Sequence, residues 1–98
     1  MVEIIREDAD ARRGRYVARI PGVAGEAEMT FTRRGPGQVS ADHTGVPDSM
    51  AGQGVGRALV LRMVEDARRE GFRILPLCPF VLAQLRRHPD WAELFVTP

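Results

Sequence analysis

The hydrophobic pattern of this 98-residue chain changes its period in the middle, and that change constrains the fold more than any other feature. Between residues 15 and 46 apolar and polar residues alternate, as they do in half-buried strands. From Gly54 to about Glu70 the apolar residues recur at the spacing of one helix face. A chain that is strand-like first and helical afterwards predicts a single α/β (α+β) domain over residues 1–98.

Four strands are predicted in the first half, at Ile4–Ile5 on the sheet edge and at residues 15–20, 26–32 and 38–46. Because the gaps between them are short, we expect them to form an antiparallel meander. Alternate residues should share one face of the sheet: Tyr16, Ala18 and Ile20; Ala27, Met29 and Phe31; Val39, Ala41 and His43.

The second half predicts a strand–helix–strand crossover followed by another helix. Gly71 should end the first helix, and residues 72–75 should form a fifth strand parallel to the fourth. Residues 79–88 read as the second helix, and residues 91–96 as a short helix or strand packed back on the domain. The expected apolar face of the second helix is Phe80, Leu82, Ala83 and Leu85, and the expected exposed face of the first is Arg62, Glu65, Asp66, Arg69 and Glu70.

Composition narrows the possible partners. The chain has fourteen arginines, no lysine and 13 acidic residues, and its net charge of +1 does not favour nucleic-acid binding. No apolar run is long enough to span a bilayer, and the acidic N-terminus does not resemble an export signal. Cys78 is the only cysteine, and the chain contains no cluster typical of a metal site. We expect a cytoplasmic protein without a metal, present as a monomer or a weak dimer.

Three alternate glycines, Gly52, Gly54 and Gly56, lie between the fourth strand and the first helix. Glycine lets the backbone turn tightly there, and the free N–H groups of a helix start attract anions such as a diphosphate. A P-loop would need a lysine, and a dinucleotide-binding fingerprint would need glycine at Leu59. The plain alternative is that these glycines only make a close turn.

The segment Gly52-Gln53-Gly54-Val55-Gly56, together with His43-Thr44-Gly45-Val46-Pro47 and Pro76-Leu77-Cys78-Pro79-Phe80, resembles the Gcn5-related N-acetyltransferases. Within that family it is similar to the short, single-domain YjdJ-type branch. The resemblance implies a mixed sheet whose fourth and fifth strands separate, and acetyl-CoA as the co-substrate. The sequence departs from the family pattern at Ala51, where the family has Gln or Arg, so we expect a lower affinity for acetyl-CoA.

The resemblance assigns acetyl-CoA contacts to the glycine loop and its surroundings. The candidate residues are Val46, Gly52, Gln53, Gly54, Val55, Gly56, Arg57 and Phe80.

His43 and Cys78 are the candidate catalytic residues. An imidazole can accept the proton of an attacking amine near neutral pH, although a lone strand histidine is more often inert. Cys78 precedes Pro79 at a helix start, a position that favours the reactive thiolate. It either assists the departure of the CoA thiol or takes the acetyl group first as an acyl-enzyme.

The expected function is therefore acetyl-CoA-dependent N-acetyl transfer to an unidentified amine of a protein, a peptide or a small molecule. Relatives often use a tyrosine as general acid, but the chain's only tyrosine, Tyr16, lies on an early strand. A non-catalytic CoA-binding or protein-interaction module that retains the fold is the alternative, and a nucleotide-binding domain is a weaker one.

Overall fold

The computed structural model describes residues 1–96, and a five-stranded mixed sheet is its framework. The strands lie in chain order, with the first four antiparallel and the last pair parallel, as the sequence predicted. They are β1 (Glu3–Asp8), β2 (Arg13–Arg19), β3 (Ala27–Arg33), β4 (Gln38–Gly45) and β5 (Arg73–Pro76).

Two helices follow the predicted positions closely. Helix α1 spans Val55–Glu70 between β4 and β5, and helix α2 spans Pro79–Arg87. Gly71 ends α1 with a left-handed φ of 80°, which a residue with a side chain adopts only under strain. The expected tail element is a 3₁₀ helix, Pro89–Leu94, after which Phe95 bridges Ile74 in β5. None of the helices in residues 1–96 has the length and apolar character needed to cross a membrane.

One face of the sheet carries the core. Tyr16, Met29 and Phe31 of the strands pack with Leu59 and other buried residues of α1 in a single apolar cluster that also includes Val81 of α2. The strand residues of this cluster are the ones that alternation placed on a common face. The buried apolar residues of α1 and α2 belong to this cluster. The opposite, helix-free face carries mainly charged and hydroxyl side chains such as Arg13, Arg15 and Thr30, around the buried Val17.

The buried side of α2 differs from the prediction. Val81 and Gln84 face the interior, whereas Phe80 is 38% exposed and Ala83 is also exposed. The nine-residue helix begins at the edge of the core, so Phe80 contacts the start of α1 instead of the sheet. Apolar spacing alone does not locate the buried face of so short a helix.

Asp66 is a second correction, because it was expected on the exposed face of α1 and is fully buried. Its carboxylate accepts hydrogen bonds from the Tyr16 hydroxyl at 2.8 Å and from Arg6 of the edge strand at 3.2 Å. Arg62 and Arg69 of the same helix also pair with it. A buried carboxylate needs such partners, and here they join α1 to β1 and β2.

Candidate active site

The parallel strands part at their carboxyl ends. β5 pairs with β4 only from Gln38 to Ala41, and the N–H of Cys78 donates to the Ala41 carbonyl at 2.9 Å just beyond. From there the chain turns into α2, while β4 continues through Asp42–Gly45. The pairing of the fourth and fifth strands therefore ends at Ala41, before the carboxyl end of β4, as the expected separation requires.

The glycine loop enters α1 through left-handed conformations. Gly52 has a φ of 77° and Gly54, the residue that caps α1, a φ of 72°. A Cβ atom built on either glycine would meet nothing within 4 Å, so both positions border open space. At these two positions the glycine is therefore needed for the backbone conformation and not for close approach to another part of the described chain.

The main-chain N–H groups of this loop are free. The first hydrogen bond of the helix runs from the Ala58 N–H to the Gly54 carbonyl at 3.0 Å. Between Gly52 and Arg57 no backbone N–H donates to an acceptor in residues 1–96. Six consecutive unpartnered amides thus lie at the positive end of a 16-residue helix, where an anion is favoured. Gly52, Gln53, Gly54 and Arg57 are exposed, whereas Val55 and Gly56 are buried.

Gly56 has a different role from the other two glycines. A Cβ atom there would lie 2.9 Å from the Phe80 ring, so the absence of a side chain allows α2 to approach α1. Phe80, the second residue of α2, thus packs directly against the first turn of α1, next to the glycine loop. The sequence suggested this contact neither by spacing nor by composition.

Exposed apolar residues come shortly after β4 and β5. Val46, which follows β4, is 40% exposed, and Leu77, which follows β5, is 48% exposed. With Phe80 they account for three of the five exposed large hydrophobic residues in the described chain. Because Phe80 also follows β5, all three come after the carboxyl ends of the two parallel strands.

His43 lies on the helix-free face, which corrects the prediction that it shares a face with Val39 and Ala41. Phe31 pairs with Ala41 but Thr30 pairs with His43, so Asp42 is an extra residue in a β-bulge. The exposed imidazole lies over Gly45, with Nε2 3.5 Å from the position that a Cβ atom would occupy.

Cys78 lies on the other side of β4. It occupies the N-cap of α2, is 4% exposed, and its Sγ is 3.5 Å from the hydroxyl oxygen of Thr44. Thr44 follows His43 directly, so the two side chains point to opposite faces of the strand. The structure therefore places the imidazole and the thiol on opposite faces at neighbouring positions along β4, instead of side by side on one face.

The remaining predicted contact residues divide by exposure. Val55 is 1% exposed and packs in the core, so its side chain does not face the predicted cofactor site. Gln53 is exposed and its side-chain amide donates to the Ser49 carbonyl at 3.4 Å. Arg57 is exposed, and no carboxylate of residues 1–96 lies within ion-pair distance of it.

Sequence reasoning missed Thr44 and Leu77 as residues of this region. Leu77 had a usable signal, since an apolar residue directly after β5 must lie at the opening if the strands part. Thr44 had none, because its contact with Cys78 depends on the bulge at Asp42.

Comparison with known proteins agrees with this geometry. The family described as GCN5-related N-acetyl-transferase matches residues 15–94. The NMR solution structure of a GCN5-like candidate N-acetyltransferase from Staphylococcus aureus superposes with a TM-score of 0.71 at 26% identity, covering 98% of this chain and 89% of that one. Among curated proteins, none is similar enough to count as a match.

Proposed function

The chain belongs to the GCN5-related N-acetyltransferase family, and from that premise we propose that it binds acetyl-CoA at the glycine loop and transfers the acetyl group to an amine. The observation that carries the proposal is the row of unpartnered N–H groups from Gly52 to Arg57 at the start of α1. Membership of the YjdJ-type branch stays a prediction.

The loop fits the diphosphate of CoA. Its amides supply donors without any side chain, and the dipole of α1 favours negative charge at this end. Ala51 contributes no side-chain donor, so the guanidinium of Arg57 is the nearest candidate for a charge-assisted contact. One missing contact of that kind costs about 1.5–3 kcal/mol, which lowers affinity but leaves the amide contacts intact.

The region where β4 extends past β5 fits the rest of the co-substrate. Val46, Leu77 and Phe80 offer apolar surface to the pantetheine arm, and β4 offers free backbone groups past the end of β5. The thioester, which supplies the activated acetyl group, would then lie along Asp42–Gly45, with His43 on one face of the strand and Cys78 on the other.

This arrangement suits direct transfer. His43, on the open face, accepts a proton from the amine as the nitrogen forms a bond to the acetyl carbon and the carbon–sulfur bond breaks. Cys78, on the helix face, donates a proton to the departing CoA thiolate and recovers one from water. Opposite faces keep the base and the acid from contacting each other.

Two alternatives stay open. In the first, Cys78 attacks the thioester and carries the acetyl group as an acyl-enzyme before the amine accepts it. In the second, the domain binds CoA without turnover. The 4% exposure of Cys78 and its contact with Thr44 favour the direct route over the first alternative.

The test is a comparison of steady-state kinetics for single variants. We expect His43→Ala to lower kcat about 10²–10⁴-fold while acetyl-CoA affinity changes little, because the imidazole lies away from the loop. His88→Gln, at the chain's other histidine, is the control and should retain wild-type kcat. Unchanged turnover of His43→Ala with acetyl-CoA bound would refute the assigned base. An acetylated Cys78 that forms and decays as fast as turnover would replace direct transfer by the acyl-enzyme route.

A further inference from the structure

A wide cleft lies away from the glycine loop, on the helix-free face of the sheet. It measures about 1110 Å³ and is lined by the turn between β1 and β2, the beginning of β2 and the hydroxyl residues of β3. Asp42 lines one side of it, and the next residue is His43 on the same face. The cleft therefore adjoins the face from which an amine would reach the imidazole.

One end of this cleft carries three arginines and is called the basic end; Asp8, which also lines it, pairs with Arg33 at 3.0 Å. The three are Arg12, Arg13 and Arg34, and no carboxylate in residues 1–96 lies within 4 Å of their guanidinium nitrogens. Asp10 is close in sequence, but its carboxylate accepts the backbone N–H groups of Arg12 and Arg13, both at 2.8 Å. Those bonds lower the pKa of Asp10, so its carboxylate stays charged and is bound by the backbone of the turn instead of by the arginine side chains.

Toward His43 the cleft is lined by Glu7 and Arg15, which form an ion pair at 3.0 Å, and by Asp42. Glu26 and Glu28 lie outside the cleft lining and also pair with Arg15, and Glu26 pairs with Arg19. The bond to Glu28 raises the pKa of Arg15, and the bond from Arg19 lowers the pKa of Glu26, because each charged group stabilises the charged form of its partner.

Asp42 adds a carboxylate between His43 and the arginines, and it has no ion-pair partner of its own among the described residues. Its oxygens accept the hydroxyls of Thr32 and Ser40, both at 2.6 Å. Ser40 in turn accepts Nε of Arg34 at 2.8 Å. The hydroxyl of Ser40 thus fixes both the acidic group beside His43 and one of the three arginines at the basic end.

The register of the sheet gives the separation between the basic end and His43. His43 lies in the row of Thr30 and Arg15, and Arg13 lies in the row of Thr32 and Ser40. The two rows are two residues apart, about 7 Å, and β2 is two strand spacings from β4, about 10 Å. The basic end therefore begins on the order of 10 Å from the imidazole.

We propose that the acceptor amine carries an anionic group, a carboxylate or a phosphate, which Arg12, Arg13 and Arg34 hold while its ammonium end lies beside Asp42 and His43. The proposal rests on the proposed function, because it names the acceptor of that same site. Three arginines without an ion-pair partner in residues 1–96 attract an anionic group, and Asp42 beside His43 attracts the ammonium group of the same molecule. An amine without an anionic group gains nothing from the arginines.

The test uses three matched series of probes: ω-amino acids of increasing length, alkylamines of the same lengths, and α,ω-diamines. We expect kcat/KM for the best amino acid to exceed that of the matched alkylamine tenfold or more, the diamines to be poorest, and the advantage to shrink as salt is added. Equal kcat/KM for amino acids and alkylamines, or a preference for diamines, would overturn the proposal. A peptide series with acidic or neutral residues near the amine then distinguishes a peptide acceptor from a small molecule.

Two arginine variants and a control locate the effect. Arg13→Gln and Arg12→Gln should each lower the amino-acid advantage several-fold, while Arg68→Gln, at an exposed arginine of α1 outside the cleft, should leave it unchanged. If neither cleft variant changes the ratio of kcat/KM between the amino acid and the matched alkylamine, the roles given to Arg12 and Arg13 are refuted. Thermal melts of each variant show whether it is folded.

Acetyl-CoA binding separates this proposal from the function on which it rests. If acetyl-CoA binds and alkylamines are acetylated without preference for the amino acids, the acceptor proposal fails and the function stands. If acetyl-CoA binds but no amine turns over, calorimetric titration of the amino acid into the loaded protein decides: binding that Arg13→Gln weakens supports the proposal, and the absence of binding contradicts it. If acetyl-CoA itself does not bind, the proposed function fails first.

Discussion

Tyr16 shows how far burial changes the chemistry of a single residue. It is 1% exposed, and its hydroxyl donates to the buried carboxylate of Asp66. Burial, followed by the bond to Asp66, raises the pKa of this phenol above its ordinary value. It is also the only tyrosine of the chain, so its ionisation can be observed without interference from another phenol.

We therefore expect the phenolate absorbance to appear only together with unfolding. A raised folded-state pKa means that the contribution of Tyr16 to stability is complete below about pH 10, its unfolded value, and is lost as the pH rises through the folded value. The measurement is a titration of ultraviolet absorbance beside far-ultraviolet circular dichroism. A phenolate signal near pH 10 in a chain that keeps its secondary structure would contradict this account, and Tyr16→Phe should give no signal.

Asp42 shows why residue-scale prediction was incomplete. Alternation predicted the facing of β2 and β3 correctly, but in β4 it placed His43 with Val39 and Ala41. A bulge depends on how two strands pair, and one residue inserted into β4 reverses the facing of those that follow it. The sequence of β4 by itself does not contain that information.

At the scale of elements, the junction of α1 with the edge strand depends on Asp66. Arg6 of β1 bonds both Asp66 and Glu70, and Arg62 also donates to the Ile4 carbonyl at 3.0 Å. The bond to Glu70 raises the pKa of Arg6, although its partial burial opposes the charge. These contacts attach a strand that otherwise pairs only with β2.

Asp66→Asn should lower the free energy of unfolding by about 2–3 kcal/mol, because charge-assisted bonds to a buried carboxylate are lost. The guanidiniums stay partly hydrated, which keeps the loss below that of a fully buried pair. The neighbouring Glu65→Gln is the control and should change stability by less than about 0.5 kcal/mol, since Glu65 is exposed. Denaturant unfolding measures both. Equal effects of the two substitutions would contradict the role given to Asp66.

Elements were predictable where one local rule decided them. The period of α1, the glycine at its end and the short gaps between strands gave the fold class and the position of the loop. The burial of Asp66 and of Gln84 depends on which surfaces meet across the sheet, and periodicity within one helix does not report that.

The whole molecule presents two surfaces at one stretch of β4. One is the glycine loop with the region where β4 extends past β5, and the other is the helix-free face with its arginine-lined cleft. Sequence resemblance indicated the first surface, because its glycines lie together in the chain. The second is assembled from β1, β2, β3 and β4, so only the folded sheet brings its charges together.

The central claim is that free backbone amides at the start of α1 bind the diphosphate of CoA. Calorimetric titration of acetyl-CoA into wild type, Gly54→Ala and Gly22→Ala tests it most directly. Both glycines have a left-handed φ, 72° and 81°, and neither has an atom within 4 Å of a built Cβ, so the two alanines bring similar strain. Only Gly54 belongs to the loop. We expect wild type and Gly22→Ala to bind alike and Gly54→Ala to bind at least tenfold more weakly; no binding by wild type, or equal affinity of all three proteins, would contradict the account.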